Sequence, residues 1–298
     1  MNWIPIAVSS FFLFAIVSIL DSIILKNYIK NELVYLIFNK ILLGLLALIL
    51  IFFVGLEIQN LTQLILSLVA GIIFFYGLLP AMKAFKIEEP SRMAPLWNLV
   101  PMFVLILSTI FLNERLSQLQ YLGFAFLVVG GVMISTQKLK NLKLSKGFCL
   151  MLLTAIIFSI YFILNKFIFS TTDFWHSFIL IRIGTLVAAV LPLFIPKYRK
   201  EVIVTIKRIS VTAKSFVASH VILDLSAIAL MSYAIFLDSV SLVNASESLQ
   251  SVFTFIIALF LTWKFPRILK EKVNKKIIIQ KIVSILIIAI GLCLINLS

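Results

Sequence analysis

Polar side chains set at helical spacing inside long apolar runs are where this chain of 298 residues has the means for chemistry. Glu247, Gln250, Ser251 and Thr254 recur at i, i+3, i+4 and i+7, so a carboxylate, an amide and two hydroxyls share one helix face. Ser91, Pro95, Asn98 and Met102 make a comparable line in an earlier segment. The two lines read as facing walls of one cavity, or else as small polar residues joining helices by hydrogen bonds. Arg182 is the one guanidinium well inside an apolar run, and Lys40 holds a similar place in the first half. A cation facing a cavity would grip a carboxylate or phosphate; the alternative is snorkelling to the nearer interface. Asp224 and His220 lie one turn apart and together can take up and release a proton. A static ion pair of Asp224 with Arg182 would also account for both residues. Glu247 joins Asp224 and His220 as a coupling candidate. Asp21 stands near Lys26 at a segment end and reads as interfacial, while Glu114 and Arg115 read as a capping or paired turn. Pro80, Pro95 and Pro101 each delete a helix hydrogen bond and should bend or break their helices.

The elements that carry these residues are set by composition. Hydrophobic residues make up 62% of the chain, charged residues 13%, and mean hydropathy is +1.16. A water-soluble domain of this length needs more polar surface than that. The apolar residues fall into blocks of roughly 20, the length an α-helix needs to cross ~30 Å of hydrocarbon. Ten such segments are expected, at about 3–25, 33–54, 61–82, 92–112, 117–136, 147–169, 175–196, 215–237, 241–263 and 277–297. The first lacks a basic flank and is long for a signal peptide, so it reads as a retained span. The net charge of +14 belongs to membrane-flanking loops rather than to a nucleic-acid surface. Cys149 and Cys293 lie within apolar segments and suggest neither a disulfide nor a metal pair. With only His176 and His220, no metal-ligand set and no nucleophile motif, no cofactor, no metal and no enzymatic activity are expected.

Loop charges orient the spans. Of the 26 Lys and Arg, 23 fall in one set of alternate loops and helix ends. Excess positive charge marks the cytoplasmic side, which puts both termini outside the cytoplasmic membrane. The stretch from Lys200 to Lys214, with Val202, Ile203, Ile206 and Ile209 between its charges, reads as a short helix lying on the inner surface.

The chain also repeats itself. Ala15 matches Ala155 and Lys26 matches Lys166 at an offset of about 140; Ala84 matches Ala234, Leu99 matches Leu249 and Phe103 matches Phe253 at about 150; Gln120 matches Gln280 and Gly131 matches Gly291 at about 160. The halves run over 1–140 and 147–298, and corresponding loops differ in charge: Glu57 without Lys or Arg against six basic residues, and Arg115 against a densely basic loop. Five helices per half reverse the second half relative to the first. The expected fold is therefore an all-α integral membrane protein of ten transmembrane helices arranged as two inverted five-helix repeats, an arrangement that elsewhere builds a shared midplane site and opens it alternately to each side.

Tyr76-Gly-Leu-Leu-Pro-Ala-Met-Lys-Ala-Phe-Lys, Glu88-Glu-Pro-Ser-Arg-Met-Ala-Pro, Pro101-Met-Phe, Asn113-Glu-Arg-Leu, Gln120-Tyr-Leu-Gly and Gly130-Gly follow in order, with a looser echo in Val243-Asn-Ala and Leu249-Gln-Ser-Val-Phe. This order resembles the EamA-type branch of the drug/metabolite transporter superfamily. The resemblance implies a ten-helix fold around a central cavity and transport of a small organic solute, often export, with cytoplasmic termini in many members, contrary to the charge pattern here. The expectation is a secondary transporter, an exporter in the first instance, that moves a metabolite by alternating access with proton coupling left open. Asn98, Arg182, Glu247, Gln250, Ser251 and Tyr76 are the expected cavity-lining residues. A flippase for lipids or lipid-linked sugars is the alternative, and a membrane enzyme a more distant one. The expected partners are the solute and the bilayer, not nucleic acid, with a homodimer left open.

Overall fold

The computed structural model describes residues 2–29, 31–87, 93–135, 145–264 and 275–297. Ser91 and the motif residues 88–92, like the basic loops over 136–144 and 265–274, lie outside them. Among the described residues there are helices and turns but no strand. In hydrocarbon a helix is the one open-ended element that satisfies its own backbone groups.

The α-helices longer than four residues are α1 (Trp3–Asn27), α2 (Glu32–Ile49), α3 (Leu61–Ile87), α4 (Leu99–Phe111), α5 (Gln118–Ser135), α6 (Lys146–Thr171), α7 (Phe174–Val190), α8 (Pro196–Arg208), α9 (Val211–Leu237), α10 (Val240–Ala245), α11 (Ser248–Lys264) and α12 (Lys275–Asn296), and a single turn over Ile51–Val54 extends α2. Short polar side chains start many of them by taking up free N–H groups. Asn31 accepts from Leu33 and Val34, Ser145 from Phe148, Asp173 from Trp175 and His176, Ser210 from Ala213, and Ser239 from Leu242. At the other end of α9 the carbonyls of Ile235 and Asp238 accept from Lys166 Nζ at 2.8 and 2.6 Å.

Nine helical segments are long and apolar enough to cross a membrane among the described residues, with Leu96–Phe111 as a tenth, shorter apolar helix. The protein is thus a multi-pass membrane protein. The fourth expected segment, over 92–112, is divided between a 3₁₀ turn (Ala94–Asn98) and α4. Pro95 opens the turn and Pro101 occupies the first turn of α4, where a missing N–H costs no intrahelical bond. Pro80 lies within α3, which continues past it to Ile87. The ninth segment, expected to be continuous, is interrupted at Ser246 and Glu247 between α10 and α11. No proline marks that interruption.

The amphipathic piece expected over Lys200–Lys214 is α8, which begins earlier and ends at Arg208, with Ile209 past its end and Lys214 in α9. It buries Val202 in an apolar cluster with Val34, Phe75 and Ala188, and Asn31 donates to Glu201 at 3.0 Å. Close packing in the bundle rests on small residues. A Cβ at Gly71 of α3 would run into the backbone of Ile181 and Thr185 in α7, and one at Gly184 would strike Leu68 in return. The two backbones therefore touch along this seam, and α7 is held behind α3.

Candidate functional site

Six helical elements and the interrupted start of α11 converge on a cavity of about 430 Å³. Each offers one face at helical spacing: Phe11, Phe14, Ser18 and Asp21 from α1; Tyr35, Asn39 and Lys40 from α2; Phe74, Leu78 and Ala81 from α3. Trp97 enters from the 3₁₀ turn, Phe158, Tyr161 and Phe162 from α6, and His220, Asp224, Ile228 and Met231 from α9. Glu247 and Gln250 enter from the break before α11 and its first turn. The cavity is within the usual size range for a small-molecule site.

Its polar groups form three clusters. In the first, Lys40 Nζ donates to Asp224 Oδ2 at 2.8 Å, and both side chains are nearly buried. In the second, Tyr35 Oη donates to Asp21 Oδ1 at 2.5 Å, while His220 Nδ1 meets the Asn39 amide nitrogen at 2.7 Å. With the amide donating, the ring proton sits on Nε2, which lies 2.7 Å from Asp21 Oδ1 at ion-pair distance but off the axis of a hydrogen bond. In the third, Trp97 Nε1 donates to Glu247 Oε1 at 2.7 Å, and Gln250 Nε2 donates to Ser18 Oγ at 2.8 Å.

Of the expected lining residues, Glu247 and Gln250 face this cavity and four do not. Arg182 is fully buried in α7 behind the wall: Nη2 donates to Tyr161 Oη at 2.7 Å, and the guanidinium lies over the rings of Phe74 and Phe178 at 5.0 and 5.4 Å. The Gly71–Gly184 seam keeps α7 out of the cavity. Tyr76 is turned away because Phe74, Leu78 and Ala81 use the inner face of α3, and position 76 falls about 200° around the helix from 74. Asn98 lies against Gly131 of α5. Ser251 points to Ser135 of α5 at 3.2 Å, so the polar line on the ninth segment divides between the cavity and a helix contact.

Two further expectations need correction. Asp224 pairs with Lys40, not with Arg182, because α2 and not α7 meets this face of α9. Asp21, expected near Lys26 at an interface, lines the cavity within two turns of the end of α1. Glu114, for its part, accepts from Ser241 Oγ at 2.5 Å, and Ser241 also meets Ser108 at 2.7 Å, linking the end of α4 to α10. Tyr35, Asn39, Trp97 and Tyr161 had gone unremarked in the sequence. The 150-residue offset held a usable signal for one of them, since it pairs Trp97 with Glu247 and these two residues touch.

Comparison with known proteins agrees with this architecture. One solved crystal structure of a protein, 13% identical in sequence, superimposes with a TM-score of 0.70 over 98% of this chain and 96% of its own, which shows a shared fold. No curated protein is similar enough to the chain to count as a match. The model of the EamA-like transporter family matches residues 1–136. That match makes residues 1–136 of this multi-pass membrane protein similar to an EamA-like transporter unit, which is consistent with a member of the drug/metabolite transporter superfamily.

Proposed function

We propose that the protein is a secondary transporter that carries a small organic solute across the cytoplasmic membrane through the cavity between its two halves. The observation that carries this reading is the cavity itself: charged and polar side chains gathered inside a bundle of membrane-spanning helices. Ionisable groups in such a place cost ~2.5–3.5 kcal/mol each on insertion scales, so they mark function by default. Glu247 and Gln250 then belong to the solute's direct contacts, whereas Asn98, Arg182, Ser251 and Tyr76 lie outside the cavity lining.

Residues 1–140 and 147–298 form inverted repeats in this reading. Support comes from the fourth and ninth segments, matched in the repeat, which are both interrupted where Trp97 meets Glu247. Broken helices at paired positions are typical of inverted-repeat transporters. The halves are also unequally closed. Glycine contacts bind α3 to α7, while the matched pair, α9 and α2, meets through the Lys40–Asp224 and Asn39–His220 contacts beside the cavity. Rocking exchanges the two arrangements and opens the cavity to the other side. Export is the direction, with Asp224, His220 and Glu247 as the groups that couple proton movement to it.

Thermal-shift screening of the purified protein against amino acids, nucleotides, sugar phosphates and amines identifies ligands, since a ligand that binds the native state stabilises it. Counterflow in proteoliposomes then tests transport. Glu247→Gln is expected to lower counterflow at least tenfold with an unchanged yield of folded protein. Full counterflow by this variant removes Glu247 from the site, and no counterflow of any stabilising ligand refutes transport.

A further inference from the structure

The charges around the cavity are not equally available to a solute. Lys40 is committed to Asp224 at 2.8 Å, with only 10% of its side chain exposed. Arg182 is fully buried behind Tyr161 and Phe74. His220 is buried between Asn39 and Asp21. What faces the open volume without a charged partner is the Glu247 carboxylate. Glu247 is half-buried, and its partner is a neutral donor, the Trp97 indole N–H. Asp21, although it accepts from Tyr35 and has His220 Nε2 2.7 Å away, keeps 38% of its side chain exposed and adds negative charge to the same wall.

The rest of the wall is largely rings. Phe11, Phe14, Phe74, Trp97, Phe158 and Tyr161 all border the cavity, and the ring of Trp97, Glu247's partner, lies 5.4 Å from that of Phe158. Ring faces carry partial negative charge and attract cations, most strongly where water is excluded. The protein already uses this chemistry beside the cavity, where Lys40 and Arg182 both lie over Phe74, at 5.4 and 5.0 Å. Carboxylates and ring faces together repel an anion and favour a cation with an apolar body. A bound ammonium also supplies the counter-charge that the Trp97 N–H does not.

We infer that the solute is an organic cation, a protonated amine or quaternary ammonium on an apolar body, with its positive charge beside Glu247 among the rings of Trp97 and Phe158. This rests on the transport reading above, and it reverses the anionic solute that Arg182 suggested from sequence. Arg182 stays behind the wall and is not the ligand.

The test uses the full-length protein in nanodiscs, titrated by calorimetry with benzyltrimethylammonium, phenethylammonium, 3-phenylpropan-1-ol and 3-phenylpropanoate. Both cations are expected to bind saturably and at least tenfold more tightly than the carboxylate. Glu247→Gln should weaken cation binding at least tenfold and leave the alcohol unaffected, and Glu247→Asp, which keeps the charge, should restore most of it. Equal or tighter binding of 3-phenylpropanoate, no binding of either cation, or unchanged cation affinity in Glu247→Gln overturns the inference. Counterflow separates the two readings. Cation binding without cation counterflow refutes transport and keeps the cation site, whereas counterflow of 3-phenylpropanoate but of neither cation refutes the cation site and keeps transport.

Discussion

Replacing Asp224 with Asn isolates Lys40. At 2.8 Å the pair attracts by about 6 kcal/mol at an effective dielectric constant of about 20. Much of that is offset by the desolvation of both groups, so the pair adds little over an apolar substitute. Losing one partner is different: the remaining charge stays buried without compensation, at a cost of ~3–5 kcal/mol. Asp224→Asn and Lys40→Met should therefore each destabilise the fold by ~3–5 kcal/mol, while the double variant recovers most of the loss. The Phe74 ring 5.4 Å from Lys40 Nζ moderates the first of these, since a cation over a ring retains part of its stabilisation. The assay is equilibrium unfolding of the four proteins in mixed micelles of mild detergent and dodecyl sulfate, read by far-ultraviolet circular dichroism. Single effects that simply add in the double variant, within ~0.5 kcal/mol, would refute the reasoning, because independent sites add in that way.

Arg182 gives a complementary test: Nε and Nη1 have no hydrogen-bond partner and no carboxylate pairs with the guanidinium among the described residues. Arg182→Met should leave unfolding stability equal or higher, since it exchanges an uncompensated buried cation for an apolar chain of similar reach, yet it should slow counterflow by disturbing Tyr161 and Phe74; a loss of more than ~3 kcal/mol would mean that the guanidinium is compensated after all. Orientation is tested by single cysteines in a background lacking Cys149 and Cys293. A cysteine at Lys200 in α8 should react with an impermeant maleimide only after cells are opened, and one at Asn60 before α3 should react in intact cells; the opposite pattern would reverse the orientation drawn from the loop charges.

The membrane-spanning character, the approximate positions of the segments and the break near Pro95 and Pro101 were all legible in the residues. They depend on local properties: a run of about 20 apolar side chains, or a ring where an N–H is needed, acts in the same way whatever it later packs against. The interruption at Ser246 and Glu247 was not legible, because no residue there forbids a helix and the break is held by contacts such as Trp97 with Glu247. Pairing was the other thing the sequence left open. Hydropathy places Arg182, Lys40 and Asp224 inside apolar spans but says nothing of which helix stands next to which. That choice fell to the Gly71–Gly184 seam, which brings the α7 backbone against α3 and shuts Arg182 behind the wall. Hydropathy thus determined that these charges would be buried and needed partners; only the packing of backbone against backbone decided that Asp224 would go to Lys40 and that Glu247 would face the cavity with no cation of its own.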